Sequence, residues 1–300
     1  MSKVAEEETN NKGSLRTYKD AVAIITGGAS GIGKALAFEL ACQGAQAIVI
    51  LDRQVDVALL EVVPFLRILG AKEAHAFEVD VRNYDDVERC IKETKETFGR
   101  IDYLFNNAGL IVSATVEKMD HEDFDYVLDV NVRGVANGVH AVYPIMKEQG
   151  FGHIINTSSV AGLVPLGENC AAYGTSKYAV TGMSLNLRIE GARHGIRVSA
   201  LCPGVIDTPI LVKGGKFGKD LTGHSPEKIK EMIAKFRPMD ADKFAKDVLK
   251  LVAKNKPIII VPGFPWKLWC SINRLFPQLG LYLARKQSEK MSLKLAPEEE

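Results

Sequence analysis

From residue 21 onward, the sequence alternates short apolar runs with amphipathic stretches long enough to form helices. The apolar runs predict seven strands, near residues 21–26, 46–51, 74–79, 101–106, 151–157, 196–202 and 257–261. The intervening stretches predict helices at about 31–43, 54–69, 83–98, 117–149 with an internal break, 172–194, 226–235 and 240–254. Because strands joined through helices pair in parallel, the pattern predicts one α/β domain around a single seven-stranded sheet.

Composition places the chain among ordinary globular proteins and excludes some classes of partner. Of its 300 residues, 46% are hydrophobic and 25% are charged, and the formal net charge is +1. This balance offers no basic excess with which to bind a nucleic acid. The five cysteines are scattered and form no Cys-x-x-Cys pair, so neither a disulfide framework nor a metal site is predicted. We expect reduced thiols in a cytoplasmic protein.

Both ends of the chain are predicted to lie outside the folded domain. Residues Met1–Tyr18 are polar, carry Glu6-Glu7-Glu8 and lack the apolar stretch of a secretory signal. This segment and the acidic end Pro297–Glu300 are predicted to be disordered tails.

A glycine-rich turn joins the first predicted strand to the first predicted helix. Gly27, Gly31 and Gly33 follow the strand directly, and a second strand ends at Asp52, about 20 residues beyond the last glycine. Glycines there let the backbone approach a pyrophosphate, and the helix N-terminus offers free N–H groups. The order of strand, turn and helix therefore predicts a dinucleotide site.

Asp52 and Arg53 bear on which dinucleotide binds. A carboxylate at the end of the second strand can accept hydrogen bonds from both ribose hydroxyls of NAD, and it repels the 2′-phosphate of NADP. Arg53 argues the other way because guanidinium groups bind phosphate, although it can instead stack on the adenine or stay solvated. The sequence favours NAD and leaves NADP as the alternative.

Polar and small residues also end the third and fourth predicted strands. Asp80 can accept a hydrogen bond from the adenine amino group or can initiate the next helix ahead of Asn83, and both alternatives stay open. Asn107, Ala108 and Gly109 follow the fourth strand, where they can line the cofactor's ribose. Ligands bind outside the carboxyl ends of parallel strands, so these residues are predicted to share one rim.

Tyr173 and Lys177 stand four residues apart, after a predicted strand that ends in Ser158 and Ser159. One helical turn puts both side chains on the same face, where the lysine can favour the phenolate. Lowering the phenol pKa from near 10 to about 7 needs about 4 kcal/mol, which a close cation in a partly dry cleft can supply. The pair predicts a base for an alcohol proton.

The same spacing occurs twice more, at Tyr143 with Lys147 and at Tyr282 with Lys286. Neither pair follows a strand with serines, so the first is predicted to be a packed tyrosine with a solvated lysine and the second part of the tail. Context therefore distinguishes Tyr173 from the other two tyrosines.

Together these residues resemble the short-chain dehydrogenase/reductase family over about residues 19–262. The shared motifs are Thr26-Gly-x-x-x-Gly-x-Gly33, Asp80, Asn106-Asn-Ala-Gly109, Asn131, Ser159, Tyr173-x-x-x-Lys177 and Pro203-Gly204. The resemblance implies a single-domain Rossmann fold, in which a doubly wound parallel sheet of seven strands has helices on both faces. It also implies a homodimer or a homotetramer.

The resemblance further implies a role for each catalytic position. Tyr173 would be the acid/base, and Lys177 would lower its pKa and hold the nicotinamide ribose. Ser159, rather than Ser158, would orient and polarise the substrate oxygen. Asn131 would anchor a water molecule that links the lysine to solvent.

The predicted cofactor site combines the glycine turn, the acidic strand ends and the backbone after the sixth strand. Its residues are Gly27, Ser30, Gly31, Ile32, Gly33, Asp52, Arg53, Asp80, Val81, Asn107, Ala108, Gly109, Tyr173, Lys177, Pro203, Gly204, Val205 and Thr208. NAD is the predicted cofactor, and no metal is expected.

Two segments are predicted to lie over or beyond this site. A glycine- and lysine-rich stretch within 208–240 suits a mobile substrate lid whose basic residues face solvent or, alternatively, phosphates or an acidic substrate. The loop Leu163–Cys170 is expected to contact substrate. The extension 263–300 is amphipathic and, over 264–286, too charged and too interrupted by Pro277 to span a membrane. It is predicted to pack on the domain or cover the pocket, or else to lie at a membrane surface.

The resemblance implies an NAD-dependent oxidoreductase that interconverts a secondary alcohol and a ketone, with a lipophilic substrate favoured if the extension touches a membrane. Three alternatives stay open: an NADP-dependent carbonyl reductase, an epimerase or dehydratase that retains its nicotinamide, and a non-catalytic protein that senses NAD or acts as a scaffold.

Overall fold

The computed structural model describes residues 17–211 and 218–295. The predicted tails lie outside these ranges except for Thr17 and Tyr18, and so do residues 212–217 of the predicted lid. Tyr18 corrects the predicted end of the first tail. Its side chain is buried, its hydroxyl donates to the carbonyl of Leu249 at 2.7 Å, and its ring lies 4.9 Å from that of Tyr103. The folded domain therefore begins no later than residue 18.

Within the described residues, the strands form one large sheet and one small ribbon. The strands are β1 (Val22–Thr26), β2 (Ala47–Asp52), β3 (Glu73–Glu78), β4 (Tyr103–Asn106), β5 (Ile111–Ser113), β6 (Gly152–Thr157), β7 (Ile196–Pro203), β8 (Gly218–Asp220) and β9 (Ile258–Val261). The large sheet has the order β3-β2-β1-β4-β6-β7-β9, and every neighbouring pair is parallel. The predicted seven-stranded parallel sheet is confirmed, with strand ends within two residues of those expected.

The helices connect the strands and cover both faces of the sheet. They are α1 (Gly31–Cys42), α2 (Val55–Val57), α3 (Val63–Leu69), α4 (Tyr84–Phe98), α5 (His121–Leu128), α6 (Gly134–Gln149), α7 (Ala171–Ala192), α8 (Pro226–Ala234), α9 (Ala241–Ala253), α10 (Trp266–Leu275) and α11 (Pro277–Leu295). Two π-helical segments, Ala58–Val62 and Asp129–Arg133, join α2 to α3 and α5 to α6. The second segment falls in the stretch 117–149, where an internal break was predicted.

Alternation of side chains along the central strands explains why both sheet faces are covered. Ile25 of β1 lies in a core with α1 and α9, whereas the adjacent Ile24 lies in a second core with α4 and α6. Successive side chains of a strand point to opposite faces, so a strand buried on both sides must be apolar at every position. This requirement accounts for the uninterrupted apolar runs in the sequence.

The small ribbon and the base of the predicted lid were not anticipated in detail. β5 pairs in parallel with β8, which brings residues 218–220 beside the segment that follows β4. The Met239 N–H donates to the Val205 carbonyl at 3.0 Å, and the Asp207 N–H donates to the Met239 carbonyl at 2.9 Å. The two ends of the segment between residues 205 and 239 therefore lie side by side, joined by backbone hydrogen bonds.

Helices α10 and α11 form a hairpin that extends beyond β9. Trp266 of α10 packs against Gly204, and Ser288 of α11 accepts a hydrogen bond from the Glu168 N–H at 3.3 Å. No helix in the described ranges has both the length and the apolar composition needed to cross a membrane.

Candidate active site

A cleft of about 320 Å³ opens at the carboxyl ends of the parallel strands. It lies at β1 and β4, the two neighbours from which successive connections run toward opposite edges of the sheet. Loops that diverge from such a switch point leave a crevice, which is where open α/β sheets bind their ligands. The cleft therefore follows from the strand order of the sheet and does not depend on particular side chains.

The glycine turn forms one wall of the cleft and requires glycine for two different reasons. Gly27 has a φ of +67°, and a Cβ there would lie 2.8 Å from the Cα of Ala108. Gly31 has a φ of +52° and faces Thr208. Gly33 lies beneath the turn, where a Cβ would meet the Gly27 carbonyl oxygen at 2.2 Å. The first two positions are strained for other residues, and the third allows α1 to pack against the turn.

The N-terminus of α1 points its unpaired backbone groups into the cleft. Ser30 precedes the helix in an extended conformation and makes no side-chain capping bond, and the first turn contains no acidic residue. The first N–H groups of a helix have no partner within it and carry a partial positive charge. This wall therefore fits the pyrophosphate of a dinucleotide.

Asn107 and Thr26 hold the turn against the end of β4. The Thr26 hydroxyl accepts hydrogen bonds from the N–H groups of Asn107 and Ala108 at 2.9 and 3.0 Å. The Asn107 side-chain amide donates in turn to the carbonyls of Thr26 and Gly27 at 3.1 and 3.2 Å. Asn107 thus stabilises the turn as well as lining the cleft.

Asp52 lies at the end of β2 and has two backbone partners. Its Oδ2 accepts from the Ala29 N–H and its Oδ1 from the Gln54 N–H, both at 2.9 Å. Each carboxylate oxygen has further acceptor capacity, so the group can still accept ribose hydroxyls. The neighbouring Arg53 donates from Nη1 to the Tyr126 hydroxyl at 2.8 Å, which ties its guanidinium to α5.

Asp80 lines the cleft and is paired with Arg82. The Arg82 guanidinium donates to both Asp80 carboxylate oxygens, at 2.7 to 3.0 Å, and lies 5.2 Å from the Tyr126 ring centroid. Partial burial raises the pKa of Asp80, but the hydrogen bonds and charge of Arg82 outweigh it and hold the pKa below its ordinary value. The cap of α4 is Asn83, which accepts from the Asp85 N–H, so the helix-initiating alternative for Asp80 is not what the structure shows.

Tyr173 and Ser159 face each other at the opposite end of the cleft. Burial raises the pKa of Tyr173 to about 12, and a hydrogen bond with Ser159 acts in the opposite direction. The Ser159 hydroxyl also accepts from the Ala161 N–H at 3.1 Å, which fixes it at the start of a short turn. By contrast, the Ser158 hydroxyl is bonded to the Lys177 carbonyl and the Thr181 hydroxyl, both at 2.8 Å.

Lys177 is buried beneath Tyr173 but does not bond to its hydroxyl. Its Nζ donates to the Thr157 carbonyl at 3.0 Å and lies 5.5 Å from the Tyr173 ring centroid. Burial lowers the pKa of Lys177 to about 8. The expectation that this lysine brings the Tyr173 pKa toward 7 is therefore not met in the protein alone, because burial dominates both groups.

A buried polar atom without a partner supports a ligand at this end of the cleft. Among the described residues, the Thr157 hydroxyl oxygen is buried, lines the cleft and has no hydrogen-bond partner. Lys177 lies beside it with three donors. Buried polar groups are normally paired, so the two side chains fit a ligand that carries hydroxyl groups, such as a ribose.

Asn131 lies behind the cleft rather than in it. Its amide donates to the Leu110 carbonyl at 2.9 Å and to the Ser176 hydroxyl at 3.0 Å, and its Oδ1 accepts from the Leu110 N–H at 2.9 Å. Both amide protons are therefore used to tie the segment after β4 to α7. The side chain positions these elements, and the expected role as a water anchor stays a prediction.

The segment after β7 closes the remaining side of the cleft. Pro203, Gly204 and Thr208 line it, with the Thr208 hydroxyl bonded to the Ile206 carbonyl at 3.3 Å. Gly204 is pressed against α10, since a Cβ there would lie 2.4 Å from the Trp266 Nε1 atom. Trp266 thus packs directly behind a wall of the cleft, a contact that no sequence motif indicates.

The cleft brings together nearly all of the predicted cofactor residues. Gly33 and Val205 are the members of that set that do not line it. The lining residues that sequence reasoning missed are Leu51, Gln54, Val79, Leu110, Tyr126, Val130, Thr157, Ile206, Pro209, Ile210 and Leu211. Thr157 could have been found, because it directly precedes the serine pair at the end of a strand.

A second cavity of about 660 Å³ lies on the other side of the Tyr173 helix. It is lined mainly by the loop 164–171, by residues 114–116 and by Tyr178. The loop expected to contact substrate therefore borders a cavity next to Tyr173. Among the basic residues of the predicted lid, Lys219 is paired with Asp123 at 2.5 Å rather than directed at the cleft.

The chain is similar to proteins of known family and structure. Residues 21–216 match the sequence model of a protein family described as short chain dehydrogenase. Levodione reductase from Leifsonia aquatica is 35% identical over 243 residues, which cover 79% of this chain and 87% of that protein. The crystal structure of levodione reductase has a TM-score of 0.73 at 32% identity and covers 81% of this chain and 96% of its own. The crystal structure of a short chain dehydrogenase/reductase from Burkholderia phymatum in complex with NAD has a TM-score of 0.73 at 27% identity. It covers 94% of this chain and 98% of its own.

Proposed function

This chain belongs to the short-chain dehydrogenase family, and from that membership we propose that it is an NAD-dependent oxidoreductase that interconverts a secondary alcohol and a ketone. The observation that carries the proposal is the meeting of Ser159, Tyr173 and Lys177 at one end of a cleft. The other end of that cleft is the glycine turn and the N-terminus of α1. A proton-transfer group and a dinucleotide cradle thus share one continuous space.

The proposed chemistry gives Ser159 and Tyr173 separate tasks. Ser159 donates a hydrogen bond to the substrate oxygen and fixes its position. Tyr173 takes the proton from that oxygen when an alcohol is oxidised and returns it when a ketone is reduced. When bound, the nicotinamide supplies the hydride acceptor or donor and, in its oxidised form, a positive charge within the cleft.

Electrostatics explain why Tyr173 needs its partners. Burial holds the pKa of Tyr173 at about 12 in the protein alone, so the phenol stays protonated at neutral pH and accepts a proton poorly. The ionised form of Lys177 favours the phenolate, and with a pKa of about 8 this lysine is charged in most molecules at pH 7. A positive charge brought by the oxidised cofactor would act in the same direction as Lys177.

NAD is proposed over NADP because of the charge at the end of β2. Asp52 lies at the mouth of the adenosine end with unused acceptor capacity, and a 2′-phosphate beside it would meet like charge. The two nearby guanidinium groups have other partners: Arg53 bonds to Tyr126, and Arg82 pairs with Asp80. The relative from Burkholderia phymatum, whose structure contains NAD, supports the same choice.

A lipophilic substrate is proposed because apolar side chains make up much of the lining of the cleft and of the adjacent cavity. Leu110, Val130, Ile206, Ile210 and Leu211 line the main cleft, and the adjacent cavity is apolar over most of its surface. Burying apolar substrate surface against such walls is favourable at about 25 cal/mol per Å². A secondary alcohol or ketone on a hydrocarbon framework fits this environment.

The test compares Tyr173→Phe with a matched control, Tyr143→Phe. Tyr143 has the same spacing to a lysine but lies on α6, away from the cleft. We expect the first change to lower kcat by about 10²- to 10⁴-fold while NAD binding persists, because only the proton donor is lost. The second should leave turnover nearly unchanged. Undiminished turnover in Tyr173→Phe would contradict the mechanism.

A panel of secondary alcohols and ketones, assayed with NAD and with NADP, separates the remaining alternatives. Net formation of NADH from an alcohol supports a dehydrogenase. A product without net NADH indicates an epimerase or dehydratase, and binding without any absorbance change across the panel indicates a non-catalytic protein. A higher kcat/KM with NADP would overturn the assignment made from Asp52.

A further inference from the structure

The helix α11 packs with its small residues inward and its large apolar residues outward. Gly280 is so close to α10 that a Cβ would lie 2.2 Å from the Asn273 Oδ1 atom, and Ala284 is 8% exposed. Ser288, a further four residues along, contacts Gly167 and Glu168. The spacing of four places these three residues on one face of the helix. A surface helix ordinarily buries its large apolar residues, so this arrangement is reversed.

The hairpin exposes a set of large apolar side chains. We call it the apolar tail surface: Phe264, Leu268, Leu275, Phe276, Leu279, Leu281, Tyr282 and Leu283. Phe264 is 78% exposed and Leu275 is 71% exposed, so these side chains gain little from the fold itself. Large exposed apolar patches mark surfaces that bind a partner or a membrane.

The charge of the hairpin differs in sign from that of the rest of the protein. Residues 264–289 contain four basic side chains, Lys267, Arg274, Arg285 and Lys286, and one acidic side chain, Glu289, so their formal charge is +3. The whole chain carries +1, which leaves −2 on all other residues. Glu289 pairs with Arg285 at 2.7 Å and with Lys286 at 3.7 Å, whereas Lys267 and Arg274 are exposed beside the apolar side chains.

We propose that the apolar tail surface docks the protein on a lipid bilayer that carries anionic headgroups. Exposed apolar residues flanked by lysine and arginine are what a helix at such an interface presents, with the apolar part in the acyl boundary and the cations at the phosphates. A second copy of the chain is a poorer occupant, because pairing two copies face to face would bring two surfaces of charge +3 together.

The hairpin lies on the bilayer and does not cross it. Ten residues of α10 span about 15 Å, half of the roughly 30 Å hydrocarbon core, and α11 turns back toward the domain to reach Glu168. The hairpin starts behind the cleft at Gly204 and returns at the loop that borders the second cavity. Docking would therefore place the proposed substrate end of the protein next to the membrane.

The experiment is sedimentation of the full-length protein with vesicles. We expect it to pellet with vesicles of phosphatidylcholine mixed with phosphatidylglycerol and to bind those of phosphatidylcholine alone less well. Raising the ionic strength from about 0.1 M to about 1 M shortens the screening length from about 10 Å to about 3 Å and should weaken binding to the anionic vesicles. Wild-type protein that stays in solution with anionic vesicles at low salt would overturn the proposal.

Two pairs of substitutions test the surface itself. The double change Leu279→Glu with Leu283→Glu should weaken partitioning by at least about tenfold, since both apolar contacts become anionic. Leu60→Glu with Ile68→Glu is the matched control: both side chains are 77% exposed, but they lie after β2, in the π-helical segment Ala58–Val62 and in α3. Equal loss in the two variants would contradict docking through the hairpin.

Further measurements separate docking from misfolding and from self-association. Lys267→Glu with Arg274→Glu changes only exposed charges, so it should fold normally and lose binding to anionic vesicles selectively. Unchanged binding in this variant would contradict the proposed role of the cations. Light scattering gives the oligomeric state, and dissociation of an oligomer by Leu279→Glu with Leu283→Glu would assign the surface to a second copy instead.

Discussion

Lys177 donates from Nζ to the carbonyl oxygen of Thr157 at 3.0 Å, which ties the buried amine to the end of β6. The side chain is only 4% exposed, and burial lowers its pKa from 10.5 to about 8. Because burial disfavours the charged form, the ionised amine lowers the free energy of unfolding of the protein without its cofactor. The same position lets it meet a ligand hydroxyl without moving.

Replacing Lys177 with methionine is expected to stabilise the cofactor-free protein at pH 7 by about 2 kcal/mol. The lowered pKa means that burying the charged lysine costs the wild type about 3 kcal/mol, which methionine avoids. Methionine also loses the hydrogen bond to Thr157, which offsets about 1 kcal/mol of that gain. The folded pKa lies below the unfolded value, so wild-type stability rises with pH between about 8 and 10.5, and the advantage of methionine should shrink there.

Chemical denaturation at pH 7 and near pH 10 measures this difference. Lys147→Met, at an exposed lysine with the same spacing to a tyrosine, should change the free energy of unfolding by no more than about 0.5 kcal/mol. A Lys177→Met protein that is less stable than the wild type at both pH values would show that the ionised lysine is well compensated in the fold.

The two adjacent serines should separate activity from stability. Ser159→Ala removes the hydroxyl that faces Tyr173 and is expected to lower kcat about 100-fold, with a small change in thermal stability. Ser158→Ala removes bonds to Lys177 and Thr181 inside the fold and should cost about 1–3 kcal/mol of stability. Steady-state kinetics and thermal unfolding of both variants check this, and equal kcat losses would speak against it.

Asp52→Ala is expected to shift the cofactor preference. Loss of a charged acceptor for the ribose hydroxyls should lower kcat/KM with NAD by about 10- to 100-fold and raise it with NADP, because the like charge is gone. Asp56→Ala removes an exposed carboxylate four residues later and is the control. The ratio of the two kcat/KM values is the readout, and a ratio that does not move would remove Asp52 from the specificity argument.

Gly204→Ala should be destabilising, whereas Gly182→Ala should not. A Cβ at Gly204 would overlap the Trp266 ring, so the indole or the backbone must shift at a cost of about 1–3 kcal/mol. Gly182 is an exposed residue inside α7 with open space at its Cβ position, where alanine should add about 0.5–1 kcal/mol. Thermal unfolding together with tryptophan fluorescence reports both effects, and unchanged fluorescence in Gly204→Ala would mean that Trp266 does not move.

Much of the fold could be predicted because the relevant pattern is local. Ile24 and Ile25 belong to different cores, and only a strand buried on both faces makes consecutive positions equally apolar. The ribbon of β5 and β8 could not be found in the same way. Its strands, Ile111–Ser113 and Gly218–Asp220, have three residues each, too few to display a period, and their pairing depends on tertiary contacts.

The sequence predicted which residues form the candidate site better than it predicted how their side chains are oriented. The family resemblance identified Asn131 as a residue that would anchor a water molecule, but the sequence could not indicate that the amide is turned toward Leu110 and Ser176. It placed Lys177 on the face of Tyr173, but only the packing shows that the amine reaches Thr157 instead. The pairing of Arg82 with Asp80, two positions apart, and the small residues at 280, 284 and 288 are local patterns in the sequence, from which these contacts could be predicted.

The hydrogen bonds between Thr26 and Asn107, and the one from the Ala29 N–H to Asp52, hold the glycine turn in its binding conformation in the protein without a ligand. Ordering a loop during binding consumes part of the interaction free energy as lost conformational entropy, and a preorganised loop avoids that loss. Association with the dinucleotide should therefore resemble the docking of two rigid bodies at this end of the cleft. Its rate would be set by diffusion and orientation rather than by a folding step in the turn.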